Sequence, residues 1–277
     1  DLVKSLQGVA PGLIGKDVGG IPGSEDATIL IRGTHTLGDN SPLYVVDDVP
    51  QPSISQISPY DIEEISVLKD ASAAIYGARA ANGVILIKTK RGRSGKVNLD
   101  INAELGSSKL TREPAIQNSY QYAIYRNEAF KAVGLPPQFS DNDIELYKNQ
   151  SEPVTQPSTD GDHLTYKKYA PVSSYNVSAS GGSENVQFYL SGSYLDQSTN
   201  YASNDGRFSR YQLRSNIDAH IGKYLKLGAD LCRRGINSKR SVVDALGVMH
   251  GVWFAYPTEV GQFPNGLYGA VHEDRHT

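Results

Sequence analysis

The sequence predicts an α+β domain over residues 1–95, a small mixed sheet with short helices. Residues 96–277 then predict antiparallel β-strands of an incomplete transmembrane β-barrel. Three observations carry this reading. Up to Lys90 the strand and helix signals are short and separated by Pro and Gly. From Val97 onward, long stretches alternate strictly between apolar and polar residues. Between the two lies Arg91 to Lys96 (RGRSGK), a basic, glycine-containing linker.

Asp1 to Val9 fits a short helix with Leu2, Leu6 and Val9 on one side, stopped by Pro11 and Gly12. Short strands are expected at Ala27 to Ile31, Leu43 to Val46 and Glu64 to Leu68. Asp47, Asp48 and Pro50 close the second of these. Ser58, Pro59 and Asp61 suit a cap, a first helical position and a first turn. Asp70 to Tyr76 predicts a one- to two-turn helix before Gly77, with Asp70 as its N-cap after Lys69. Gly83 to Lys90 (GVILIKTK) predicts a strong strand because β-branched residues fill it.

Five long strands follow, around Val97–Leu105, Tyr175–Ser180, Val186–Ser191, Tyr211–Ile221 and Leu225–Cys232. Each has an apolar and a strongly polar face. Gly181 to Glu184 and Gly222-Lys223 read as tight hairpin turns. Residues 112–171 and 198–206 read as long excursions, the first with a helix over Tyr120 to Val133. A half-exposed soluble sheet shares the alternation. Strand length near that of a membrane crossing, and short turns alternating with long loops, favour a barrel wall. Glu104, Arg214, Asp218, Lys226 and Asp230 would then face a wet lumen, with Cys232 idle among them.

Composition removes several classes. A net charge of −3 gives nothing for nucleic acid to bind. A single cysteine excludes an intrachain disulfide. Mean hydropathy is −0.40, and no run reaches the roughly 18 apolar residues of a transmembrane helix. Tyr (17) outnumbers Phe (6) and Trp (1), as suits amphipathic aromatics at a water boundary. The chain opens at Asp1 without methionine or signal-like segment and reads as a fragment or processed piece.

Leu6 to Leu13 resembles an LQG-x-x-x-GL opening, and Ile31-Arg32-Gly33 an IRG segment. Pro42 to Pro50 is similar to PLYVIDGVP, and Ile62 to Gly92 to a VLKDASA-x-IYG-x-RAANGVI block. Together these resemble the plug domain of SusC/RagA-type TonB-dependent outer-membrane transporters. Tyr175–Leu195 and Arg210–Leu231 resemble the early barrel strands of that family. The plug motif comprises Ile31, Gly33, Tyr44, Asp47, Lys69, Asp70, Tyr76, Gly77, Asn82 and Gly83. Asp48 departs from the pattern, where the family usually has glycine; Asp tolerates positive φ less well than Gly, so a slightly different turn is expected there.

The resemblance implies import without covalent chemistry, cofactor or metal. A TonB–ExbB–ExbD complex pulls on a segment before the plug, and a SusD-like surface lipoprotein lids the mouth. Oligosaccharide or peptide passes through a barrel set in outer-membrane lipid of a Gram-negative, Bacteroidetes-like cell. Arg32 and Arg79 are the arginines the resemblance offers for pairing with barrel-wall carboxylates; capping of local carbonyls is the rival reading of Arg32. Trp253, Phe254 and Tyr256 are candidates for stacking on a ligand, or equally for a girdle or loop packing. His272, Glu273 and His276 match H-E-x-x-H, but so close to the chain end no zinc helix is expected. Two other functions remain open on sequence: a siderophore or metal-chelate receptor, and a soluble β-rich binding module that reuses the domain.

Overall fold

A computed structural model describes residues 13–16, 22–23, 28–31, 33, 40–54, 57–69, 72–111, 115–204, 206–241, 243 and 245–268. The expected helix at 1–9, Arg32, Asp70 and the histidine motif at 272–276 lie outside these. The chain forms two compact units, 1–107 with 171–199 and 206–240, and 108–170 with 200–205 and 241–277.

The first unit opens with an antiparallel pair, β1 (Leu13–Lys16) and β2 (Thr28–Ile31). Next come β3 (Leu43–Val46), β4 (Val49–Gln51), β5 (Ile62–Leu68) and β6 (Val84–Thr89), in spatial order β4-β3-β6-β5. β3 and β6 run parallel while the other pairs are antiparallel, giving the expected mixed sheet. Strand β6 is central and apolar on both sides because both sides are covered. Ile85 and Ile87 pack with Ile29, Ile31, Val46, Ile54 and Ile57, whereas Val84 packs with Val45, Ala73 and Ala80.

Two local expectations change. Ser58 precedes the helical turn, yet its hydroxyl makes no cap bond. That turn is a three-residue 3-10 turn, Pro59–Asp61, whose Asp61 N–H already donates to the Ser58 carbonyl. The helix expected up to Tyr76 is likewise a 3-10 turn over Ala74–Tyr76, ended by Gly77 at φ 72°.

Five long strands complete the unit: β7 (Gly95–Ser108), β8 (Ala170–Gly182), β9 (Val186–Ser198), β10 (Arg207–Ile221) and β11 (Leu225–Lys239). They form an open antiparallel meander in chain order. At 13 to 15 residues, each exceeds the roughly 10 needed to cross a bilayer at a tilt. The sheet is inside out. On β10, Gln212, Arg214, Asn216 and Asp218 are at most 9% exposed, while Tyr211 and Leu213 are 53% and 59% exposed. The same inversion buries Asn176 and Ser178 of β8 and Tyr189 and Ser191 of β9, and leaves Val177 and Leu190 exposed. Water cannot favour such a face; hydrocarbon does.

In the second unit, α1 (Ser119–Ala132) is one residue offset from the expected helix. Its start is set by a capping box between Asn118 and Gln121. It is joined by α2 (Asp141–Asn149), α3 (Gly161–Thr165) and α4 (Ala245–Phe254).

Candidate functional site: a polar seam between the small domain and the wall

The β3–β4 turn carries Asp47 and Asp48, both at positive φ (48° and 67°), as in a type I′ hairpin turn. That conformation folds the Asp47 carboxylate back over the end of β6. Its two oxygens accept from Thr89, at 2.9 Å from the N–H and 2.7 Å from the hydroxyl. The turn expected of Asp47 is thus a turn with a second task, since Arg214 Nη1 of β10 stands 3.5 Å from the same carboxylate.

Asp61 is fully buried. The 3-10 turn before β5 aims it at the polar face of the wall. One oxygen accepts from Tyr189 Oη at 3.0 Å and Ser191 Oγ at 2.6 Å. The other accepts from Gln212 Nε2 at 3.1 Å and lies 3.6 Å from Arg214 Nε. Asn216 extends the seam, donating to Thr89 Oγ1 at 2.9 Å and to the Lys90 carbonyl at 2.8 Å. Arg91 then forks to Asp218 at 3.1 Å and Asp230 at 2.6 Å. Desolvation opposes the Arg91 charge, but its bonds to Asp230 and Asp218 outweigh it and raise the pKa. Tyr60, beside Asp61, reaches Glu104 on β7; burial first, then that carboxylate, raise its hydroxyl pKa.

Gly92 lets the chain pass this close. A Cβ there would collide with the backbone of Phe188 on β9. The role is steric, with the backbone of one element lying directly on another.

Among the described residues the seam carries both polarities: Asp47 and Asp61 of the small domain meet Arg214 of the wall, and Arg91 of the small domain meets the wall acids Asp218 and Asp230. Arg79 sits exposed in a 3-10 turn, Ala78–Ala80, with no carboxylate paired to it among the described residues. The other motif residues serve the domain's own fold. Ile31 is core, Tyr44 and Tyr76 pack against the two clusters, and Gly33, Gly77 and Gly83 hold positive φ. Lys69 N–H donates to Ser72 Oγ, and Asn82 Nδ2 to the Ser41 carbonyl. In the second unit Trp253 and Phe254 are 43% and 76% exposed, each beside His250. Tyr256 instead packs on Tyr122 and lines a cavity of about 320 Å³ with Leu164, Val252 and Tyr268.

Residues 1–84 match the TonB-dependent receptor plug domain. TonB-dependent receptor P26 of Formosa agariphila is 33% identical over 235 residues, covering 81% of this chain and 22% of that protein. TonB-dependent receptor SusC of Bacteroides thetaiotaomicron is 28% identical over 252 residues, covering 86% of this chain and 23% of its own. A structure of the RagAB peptide transporter matches 100% of this chain and 34% of its own, with TM-score 0.80 and 27% identity. The chain is of the SusC/RagA type of TonB-dependent receptor. It spans about a fifth of the length of these curated relatives.

In this family context the small domain is the plug and the inside-out sheet is part of the barrel, so the polar face is the lumen side. Sequence reasoning placed Arg214 and Asp218 on that face but missed their plug partners, Asp61 and Thr89 for Arg214 and Arg91 for Asp218. Asp61 carried only a helix-start signal. A buried acid and an ordinary first-turn acid look alike until the wall is in place.

Proposed function

We infer that this chain supplies the plug and five wall strands of a TonB-driven nutrient importer of the outer membrane. The observation that carries the reading is the inverted wall: its apolar face is outward and its polar face is closed on the plug. A soluble binding module would bury the opposite face.

The seam also suits a plug that must move. Gln212 Oε1, Arg214 Nε, Asn216 Oδ1 and Asn176 Nδ2 are buried without a hydrogen-bond partner. A network satisfied in this partial way holds less firmly than a complete one. Asp61 and Thr89 seat the plug, and the unpaired atoms lower the cost of shifting it. In this reading the plug ends near residue 95 and the wall begins at 96. TonB–ExbB–ExbD pulls on chain preceding the plug, and a SusD-like lipoprotein covers the outer mouth. Arg79, and Arg32 with it, are the proposed contacts to wall strands beyond these five. The exposed Trp253 and Phe254, with Tyr256, are the proposed stacking surface for an oligosaccharide or peptide. No step forms or breaks a covalent bond.

The test is growth of a strain carrying the full-length gene on oligosaccharide or peptide as sole carbon source. Deleting the gene, or collapsing the proton gradient, is expected to abolish uptake. Loss of ferric-chelate uptake alone would assign the siderophore function. A full-length product recovered in the aqueous fraction would overturn membrane import altogether.

A further inference from the structure

The cavity of about 320 Å³ in the second unit is at the small end of ligand pockets. Helices α3 and α4 and the chain that follows α4 wall it. Leu164 of α3, Val248 and Val252 of α4, and Val260 make its lining largely aliphatic, and Tyr256 and Tyr268 add rings. Glycine at 161 and 261 lets these walls approach. A Cβ at Gly261 would strike the side chains of Leu164 and Thr159, and one at Gly161 would press on Val252.

Hydrogen bonds fix the frame. The Thr159 N–H donates to the Pro257 carbonyl at 2.9 Å. Its hydroxyl donates to the Glu259 carbonyl and accepts the Gly261 N–H at 3.0 Å. The Thr159 hydroxyl proton is thus taken by the frame and cannot serve a ligand. Glu259 is the one charged residue in the lining. It is half-buried, and its carboxylate has no hydrogen bond or ion pair among the described residues. Asp160 and Asp162 flank Gly161, so the local charge on that side is negative as well.

Such a lining selects by chemistry. A half-buried carboxylate without a cation is answered by an ammonium group through a charge-assisted bond. An aliphatic wall accepts a hydrocarbon side chain but leaves sugar hydroxyls without partners. The N-terminus of a peptide joins both features, an ammonium group one carbon away from a side chain.

We propose that this cavity is the subsite for the N-terminal residue of an imported peptide, with Glu259 pairing with its ammonium group and the aliphatic lining holding its first side chain. This rests on the import reading above and narrows the cargo to peptides with a free amino group and an apolar first residue. Tyr256 and the exposed rings of Trp253 and Phe254, at the end of the same helix, are then placed to meet the residues that follow.

The test is calorimetric binding to the purified full-length protein. The probes are a synthetic tetrapeptide that begins with valine, its N-acetylated twin, and the trisaccharide of glucosamine. The free peptide is expected to bind at least about tenfold more tightly than the acetylated one. Glu259→Gln is expected to remove that preference. Ala255→Phe, which enters the cavity from an exposed position, is expected to weaken the free peptide by about tenfold as well. Equal affinities in the parent, no binding, or a preference that survives Glu259→Gln would overturn the amine subsite. Unchanged affinity in Ala255→Phe would overturn the cavity as its place. Tight binding of the trisaccharide instead of the peptide would overturn the peptide assignment. Import itself fails on a separate result, unchanged peptide and oligosaccharide uptake after deletion of the gene.

Discussion

The carboxylate of Asp61 accepts the Tyr189 hydroxyl at 3.0 Å and stands 3.6 Å from Arg214 Nε, so one plug side chain engages two wall strands. Asp61→Ala leaves Arg214, Gln212 and two hydroxyls buried without that acceptor, and is expected to cost about 3 kcal/mol of plug docking. Asp61→Asn, which keeps the shape and an acceptor oxygen, is expected to cost less. The measurement is hydrogen exchange over β5 and β6 in the full-length protein. Unchanged protection in Asp61→Ala would remove Asp61 from the seam.

The β3–β4 turn gives two substitutions of opposite sign. Asp48→Gly relieves an exposed left-handed residue and is expected to stabilise the plug by up to about 1 kcal/mol. Asp47→Gly relieves the same strain but loses both bonds to Thr89 and the contact with Arg214. A net loss of about 2 kcal/mol is expected, because Arg214 and Thr89 stay buried. Urea midpoints of the two variants should fall on either side of the parent's.

Gly92→Ala places a methyl group on the Phe188 backbone, which has no side-chain freedom with which to yield. Loss of plug seating is expected, read as faster proteolysis of the plug in the assembled protein. Gly106→Ala on β7, where nothing lies near, is expected to leave proteolysis unchanged.

In the second unit, the Ser140 hydroxyl and then the Ser140 N–H hold the Asp143 carboxyl below its ordinary value of 3.8. A depressed carboxyl stabilises the folded form above its unfolded pKa and loses that contribution as pH falls through the folded one. The N-terminal turn of α2 is therefore expected to fray progressively below about pH 4. Ser140→Ala is expected to weaken the cap by about 1 kcal/mol at neutral pH and to diminish the acid-induced fraying. Amide exchange at residues 141–144 as a function of pH measures both.

The wall was legible because period-two alternation is a local property. All five strands and both tight turns could be read from it, although the strands run several residues further than the alternation alone marked. The mixed sheet was legible through the β-branched run of β6. The seam was not, because pairing Asp61 with Gln212 or Thr89 with Asn216 joins residues more than 120 positions apart. Nothing local distinguishes them.

The most direct test of the central claim sets two neighbours on β10 against each other. A photo-crosslinking residue replaces Leu213 in one full-length protein and Gln212 in another, and both are irradiated in cells. The account predicts lipid adducts from position 213, and from position 212 crosslinks to the plug peptide that contains Asp61. Plug crosslinks from 213, or lipid adducts from 212, would contradict a wall that faces lipid with one side and seats the plug with the other.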